Sequence, residues 1–121
     1  MQFISKDTHG IIDYVMSIVL ILSPWILGFN RGGAETWVPV VLGILTIAVS
    51  LVTDYKYSLK KIISMKDHLM IDLTSGIFLA LSPWIFGFSE YVFVPHVLFG
   101  LLEIGASLST KTESNRVGSH A

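Results

Sequence analysis

The chain has 121 residues, of which 52% are hydrophobic and 14% charged, with a net charge of -1 and no cysteine. The length allows one domain at most, and the composition is that of a polytopic membrane protein rather than a soluble domain. Disulfides, thiolate metal sites and cysteine nucleophiles are excluded, and no basic run interleaved with aromatics points to nucleic acid.

A short polar lead precedes the first helix, with Asp7 or Thr8 as the expected N-cap. Helix one is expected from about His9 to Phe29, long enough to cross a hydrocarbon core of roughly 30 Å. It is not read as a cleaved signal peptide, because the apolar run ends in Ser-Pro-Trp-Ile-Leu-Gly-Phe instead of a small-residue cleavage site. A Gly-rich loop over 30–36 leads to helix two, about Trp37 to Thr53, with Pro39 placed in its first turn. A polar connector over 54–66 carries Lys56, Lys60, Lys61 and Lys66. Its Tyr57-Ser-Leu-Lys-Lys-Ile-Ile stretch fits an amphipathic turn on the membrane surface. Asp67 then caps helix three, about His68 to Phe88, and a very short loop leads to helix four, about Val92 to Ser109. Residues 110–121 read as a disordered tail.

Helix three repeats helix one. His9-Gly-Ile-Ile-Asp13 and Ser23-Pro24-Trp25-Ile-Leu-Gly28-Phe29 return, without a gap, as His68-Leu-Met-Ile-Asp72 and Ser82-Pro83-Trp84-Ile-Phe-Gly87-Phe88. A duplication of this kind sets the architecture. The fold class is therefore all-α: a four-transmembrane-helix bundle built from two tandem parallel helical hairpins. Residues 1–121 form a single membrane domain, with repeat one over 8–55, the connector over 54–66 and repeat two over 67–109. Lys6, the connector lysines, Lys111 and Arg116 fall on one side, and only Arg31 on the other. The positive-inside rule then puts both termini in the cytoplasm.

Each helix carries a stripe of small or polar residues at steps of three or four, the spacing of one helical face. The stripes are His9, Asp13, Ser17, Pro24 and Gly28 in helix one, and Gly43, Thr46 and Ser50 in helix two. They continue as His68, Asp72, Gly76, Ala80, Pro83 and Gly87 in helix three, and His96, Gly100, Glu103 and Ser107 in helix four. Close packing drives helix association in lipid, so the stripes are expected to face the bundle interior. The bulky faces are expected to meet membrane lipid, another copy of the chain, or a partner membrane protein.

The Ser-Pro-Trp step has a structural explanation. Proline frees a carbonyl one turn earlier, and the serine hydroxyl can re-satisfy it. The tryptophan suits the membrane interface, and the glycine ends the helix or admits a close neighbour. The paired motifs, each in the first helix of a two-helix unit, resemble those of the SPW repeat family of small bacterial membrane proteins. The resemblance covers nearly the whole chain. It implies an integral protein of the bacterial inner membrane and brings no catalytic residue.

His9 with Asp13, and His68 with Asp72, are i, i+4 pairs that put an imidazole over a carboxylate. Read singly, each is an interfacial pair at a helix end. If the repeats face each other, two imidazoles and two carboxylates converge, a set suited to a proton relay or to Zn²⁺ or another borderline divalent ion. No sequence motif calls for any other cofactor. Glu103 falls near the middle of helix four, where an ionisable group is a functional candidate by default, and His96 shares its face. Nucleophile-elbow, phosphate-loop and zincin signatures are missing, which favours a non-enzyme. Three classes of function follow: a structural or accessory scaffold, a proton or small-ion transport element using Glu103 and the His/Asp pairs, and a metal- or small-molecule-binding membrane protein.

Overall fold

The computed structural model describes residues 2–112. They form an all-α bundle of four helices: α1 (Lys6–Ile26), α2 (Ala34–Leu51), α3 (Met65–Ile85) and α4 (Val94–Ser109). The helices pair as two hairpins, α1 with α2 and α3 with α4, and α2 packs on α3. Three of them are long and apolar enough to cross a membrane. Of the four expected crossings, α4 is the one that falls below that length. Its 16 residues rise about 24 Å at 1.5 Å each, short of a hydrocarbon core of roughly 30 Å.

Burial is inverted relative to a water-soluble protein. Among the described residues, buried polar and charged side chains outnumber buried hydrophobic ones. Ile11, Val15, Ile18, Leu22, Val41, Ile44, Leu98 and Leu102 are all exposed. Polar groups inside and bulky apolar groups outside are stable only where the surrounding medium is hydrocarbon. The chain is an integral membrane protein whose outer faces contact lipid.

Small residues set the helix crossings. A Cβ at Gly43 would lie 2.8 Å from the Ser17 carbonyl oxygen, and one at Gly100 would lie 2.6 Å from that of Gly76. Aligning the repeats puts Ser17 over Gly76 and Gly43 over Gly100, so both hairpins cross at equivalent points.

The helices start earlier than the sequence implies. Ser5 and Ser64, not Asp7 or Asp67, are the N-caps, each accepting a hydrogen bond from the backbone N–H three residues on. Because α2 begins at Ala34, Pro39 lies in its second turn. The connector forms turns, as expected.

All three prolines inside helix bodies leave a carbonyl without its donor, and each carbonyl gains another. Ser23 Oγ donates to Leu20 O at 2.8 Å, the position Pro24 vacates, and Ser82 Oγ donates to Leu79 O at 2.7 Å for Pro83. Glu35 O, stranded by Pro39, accepts from His96 Nε2 at 2.9 Å. Gly28 and Gly87 then adopt left-handed backbone, with φ of 74° and 76°. They let Phe29 N–H and Phe88 N–H bond back to the Pro24 and Pro83 carbonyls at 2.9 and 2.8 Å. The motif is thus a helix stop that turns Phe29 and Phe88 into the core.

The two hairpins interlock at the lysine-bearing end. Phe3 and Ile4 N–H bond to Ser109 O, and Lys111 N–H bonds to Ile4 O, so the lead before α1 braces the exit of α4. In the same way Ile62 and Ile63 N–H bond to Val52 O, and Asp54 N–H bonds to Ile63 O, so the segment before α3 braces the exit of α2. Each repeat's entry holds the other repeat's exit. The expected tail begins too early at 110: Thr110 is fully buried. Residues 113–121 lie outside the described residues.

A candidate metal centre at the repeat axis

The first turns of α1 and α3 lie against each other, and the duplication brings His9, Asp13, His68 and Asp72 together. All four are buried, at 0% or 1% exposure. His9 Nε2 lies 2.8 Å from Asp72 Oδ2 and 3.1 Å from Asp13 Oδ2. His68 Nε2 lies 2.6 Å from Asp13 Oδ2 and 3.0 Å from Asp72 Oδ2. One nitrogen or oxygen from each residue falls within 4.8 Å of the others. The shortest link of each histidine crosses to the opposite repeat. The two imidazoles meet edge to face, with centroids 5.5 Å apart.

Two threonines fix the rings. Thr110 Oγ1 donates its only proton to Ala106 O at 2.6 Å, so at 2.8 Å from His9 Nδ1 it accepts. Thr53 Oγ1 donates to Val49 O at 2.6 Å and accepts from His68 Nδ1 at 2.7 Å. Each Nδ1 therefore carries a proton, and each Nε2 is aimed at the centre. This assignment follows from hydrogen-bond geometry. An outer partner that sets the tautomer of a histidine is the usual support of a metal ligand. The outer oxygens Asp13 Oδ1 and Asp72 Oδ1 are buried without a partner.

A buried group closes the centre toward the connector. The Tyr55 ring lies over Gly10, where any side chain would strike it, and packs with Met65 and Leu69. Burial pushes the Tyr55 hydroxyl above its ordinary pKa.

The remaining candidates fall elsewhere. Ser23, Pro24, Ser82 and Pro83 are buried in the helix stops, whereas Trp25 and Trp84 are 55% exposed toward lipid. Gly28 and Gly87 are exposed too, not on the interior stripe. His96 is buried near the opposite end, its ring between Phe29 and Phe88 at 5.1 and 4.8 Å. Its Nε2 serves the Pro39 gap, a structural duty. Glu103 is half-buried and borders two hollows. One lies between α1 and α4, and the other is a small interior gap shared with Thr46 and Ser75. The centre does not include Glu103 or His96.

Thr53 and Thr110 were not among the sequence candidates. One signal marks them: both second helices end in Ser-Leu-x-Thr, as Ser50-Leu-Val-Thr53 and Ser107-Leu-Ser-Thr110.

A family model for the SPW repeat domain matches residues 7–110. The chain belongs to the SPW repeat family. No curated protein and no solved structure matches it.

Proposed function

We propose that this SPW repeat protein is a metal-binding membrane protein in which His9, Asp13, His68 and Asp72 hold one divalent cation and clamp the two hairpins together. The observation that carries the reading is the pair of threonine-locked rings. Two imidazoles, each held at Nδ1 by a threonine, present Nε2 to a point shared with two carboxylate oxygens. Two carboxylates balance a dication, and a set of two nitrogens and two oxygens suits Zn²⁺ in tetrahedral geometry. Four protein ligands in a closed, buried site are the pattern of a structural ion rather than a catalytic one.

The residues form a single domain of two repeats, 8–55 and 67–109, joined by the connector over 54–66. In the bacterial inner membrane the lysine-bearing end, and with it the metal centre, faces the cytoplasm. The exposed apolar faces leave room for a homo-oligomer or a partner membrane protein, in keeping with an accessory role.

Metal analysis of the protein purified from membranes without a polyhistidine tag tests the reading. About one Zn²⁺ per chain is expected. Loss of the metal in His9→Ala and His68→Ala, with helicity retained, supports the centre. Background metal in folded wild type rejects it.

A second reading, proton or small-ion transport, is favoured by the nitrogen–oxygen distances of 2.6 to 3.1 Å. Zinc ligands at ~2.05 Å sit about 3.3 Å apart in a tetrahedron. The present spacing suits two imidazolium ions donating to two carboxylates, with Glu103 nearby as a further proton carrier. A pH-dependent leak in liposomes, abolished by Glu103→Gln, supports that reading, and its absence removes it.

A further inference from the structure

The two repeats are equivalent at the metal centre but not at their outer seams. The pseudo-twofold relation matches the α2–α3 seam with the α4–α1 seam. The first is packed, and the second is open. A groove of about 390 Å³ runs between α1 and α4, with Ile12 and Met16 on one wall and Leu101, Gly105 and Ala106 on the other. That volume lies within the range of small-molecule sites, about 300–1,000 Å³.

Side-chain size explains the asymmetry. Aligning the repeats puts Gly105 over Ala48, Ala106 over Val49 and Ser109 over Val52. At each position α4 carries the smaller residue. Gly105 also differs from the packing glycines Gly43, Gly76 and Gly100, because a Cβ there would meet nothing within 4 Å. It leaves space instead of allowing a helix to approach. The fourth difference is chemical: Glu103 stands where the first repeat has Thr46.

The groove is therefore an apolar trough with one ionisable residue in its lining, Glu103, and its rim residues Phe3, Leu101 and Leu102 are exposed on the lipid-facing surface. A carboxylate at this depth is costly without a cationic partner. We propose that the α1–α4 groove binds a lipophilic amine, an alkyl chain or ring system bearing one cationic nitrogen. It enters from the bilayer and places its nitrogen on Glu103. The apolar body fills the space that the smaller residues Gly105, Ala106 and Ser109 leave between α1 and α4. The charge-assisted hydrogen bond selects the amine over neutral molecules of the same shape. This site is separate from the His/Asp centre and does not depend on what that centre holds.

The test uses the full chain in nanodiscs of neutral lipid, titrated calorimetrically with tetradecylamine, tetradecanol and tetradecanoate. The amine is expected to bind saturably and about tenfold or more tighter than the alcohol, with that preference lost in Glu103→Gln. Gly105→Ala, Ala106→Val and Ser109→Val together copy the closed repeat and are expected to abolish binding of all three. Unchanged thermal stability and metal content in these variants separate this outcome from damage to the His/Asp centre. Equal binding of amine and alcohol, unaffected by Glu103→Gln, would mean that the groove takes only a hydrocarbon chain. That result overturns the proposal. So would preference for the acid, no saturable binding, or full binding by the triple variant. Should Glu103→Gln fail to fold, the triple variant and the amine-to-alcohol ratio decide.

Discussion

Thr53 and Thr110 do at the residue scale what the four ligand candidates cannot do alone. An imidazole has two nitrogens, and only the partner of one decides what the other can offer. Replacing Thr53 with Val leaves His68 Nδ1–H buried without an acceptor, a loss of about 1–3 kcal/mol in stability. It also frees the ring to turn, and zinc affinity is expected to fall about 10–100-fold, as read by competition with a chelating dye. Thr53→Ser keeps the acceptor and is expected to stay near wild type. The same contrast holds at Thr110. Affinity also falls with acidification, because both imidazoles and both carboxylates must be unprotonated to hold the ion. Zinc uptake is then expected to release protons, measurable as a buffer-dependent heat. His9, Asp13, His68 and Asp72 were legible in the sequence because an ionisable pair recurring in an apolar helix is unusual. The threonines were not. A hydroxyl that bonds its own helix carbonyl has no chemical signature, and Thr110 falls where the sequence turns polar and looks like the start of a tail.

The helix stop belongs to the scale of the element. Ser23, Pro24 and Gly28 act in series: the proline strands Leu20 O, the serine re-satisfies it, and the glycine turns the chain. Ser23→Ala is expected to cost about 1 kcal/mol in a detergent unfolding assay. In a Pro24→Ala background the same change is expected to cost little, since alanine brings its own N–H to Leu20 O. Gly28→Ala is expected to cost about 1–2 kcal/mol from left-handed strain alone. Gly105→Ala, where the backbone is ordinary and the space is open, is expected to be neutral. The sequence disclosed the serine–proline compensation, because the i−4 rule needs only local spacing. It did not disclose that His96 performs the same service for Pro39 from another helix. That pairing depends on tertiary placement, and a histidine near a predicted membrane interface has many simpler explanations. Helix starts were missed by a few residues because charged first-turn residues such as Lys6, Asp7 and Asp67 read as flanking loop.

For the whole molecule, duplication explains more than any single residue. A buried ring of two acids and two bases needs four groups delivered to one point, and a twofold relation delivers them by placing one pair correctly. The crossed braces at the lysine-bearing end lock that relation, since each repeat's entry holds the other's exit. Removing residues 1–5 takes away the Ser5 cap and the pairing of Ile4 with Thr110 and Ser109. Zinc affinity is then expected to fall although no ligand is touched, and dye competition reads this too. The hairpin repeat, its parallel sense and its polar interior were all readable, because lipid imposes regular periodicity on a chain. The crossed braces and the open α1–α4 seam were not, because they depend on a difference of one or two carbon atoms at aligned positions.

The measurement that bears most directly on the metal centre is the zinc content of the untagged, membrane-extracted protein beside His68→Ala and Thr53→Val. The centre described above requires about one zinc per wild-type chain. It requires none in His68→Ala, and in Thr53→Val occupancy that recovers only at higher free zinc. Wild type that folds, keeps its helicity and carries no metal above background, at any free zinc concentration, would contradict it.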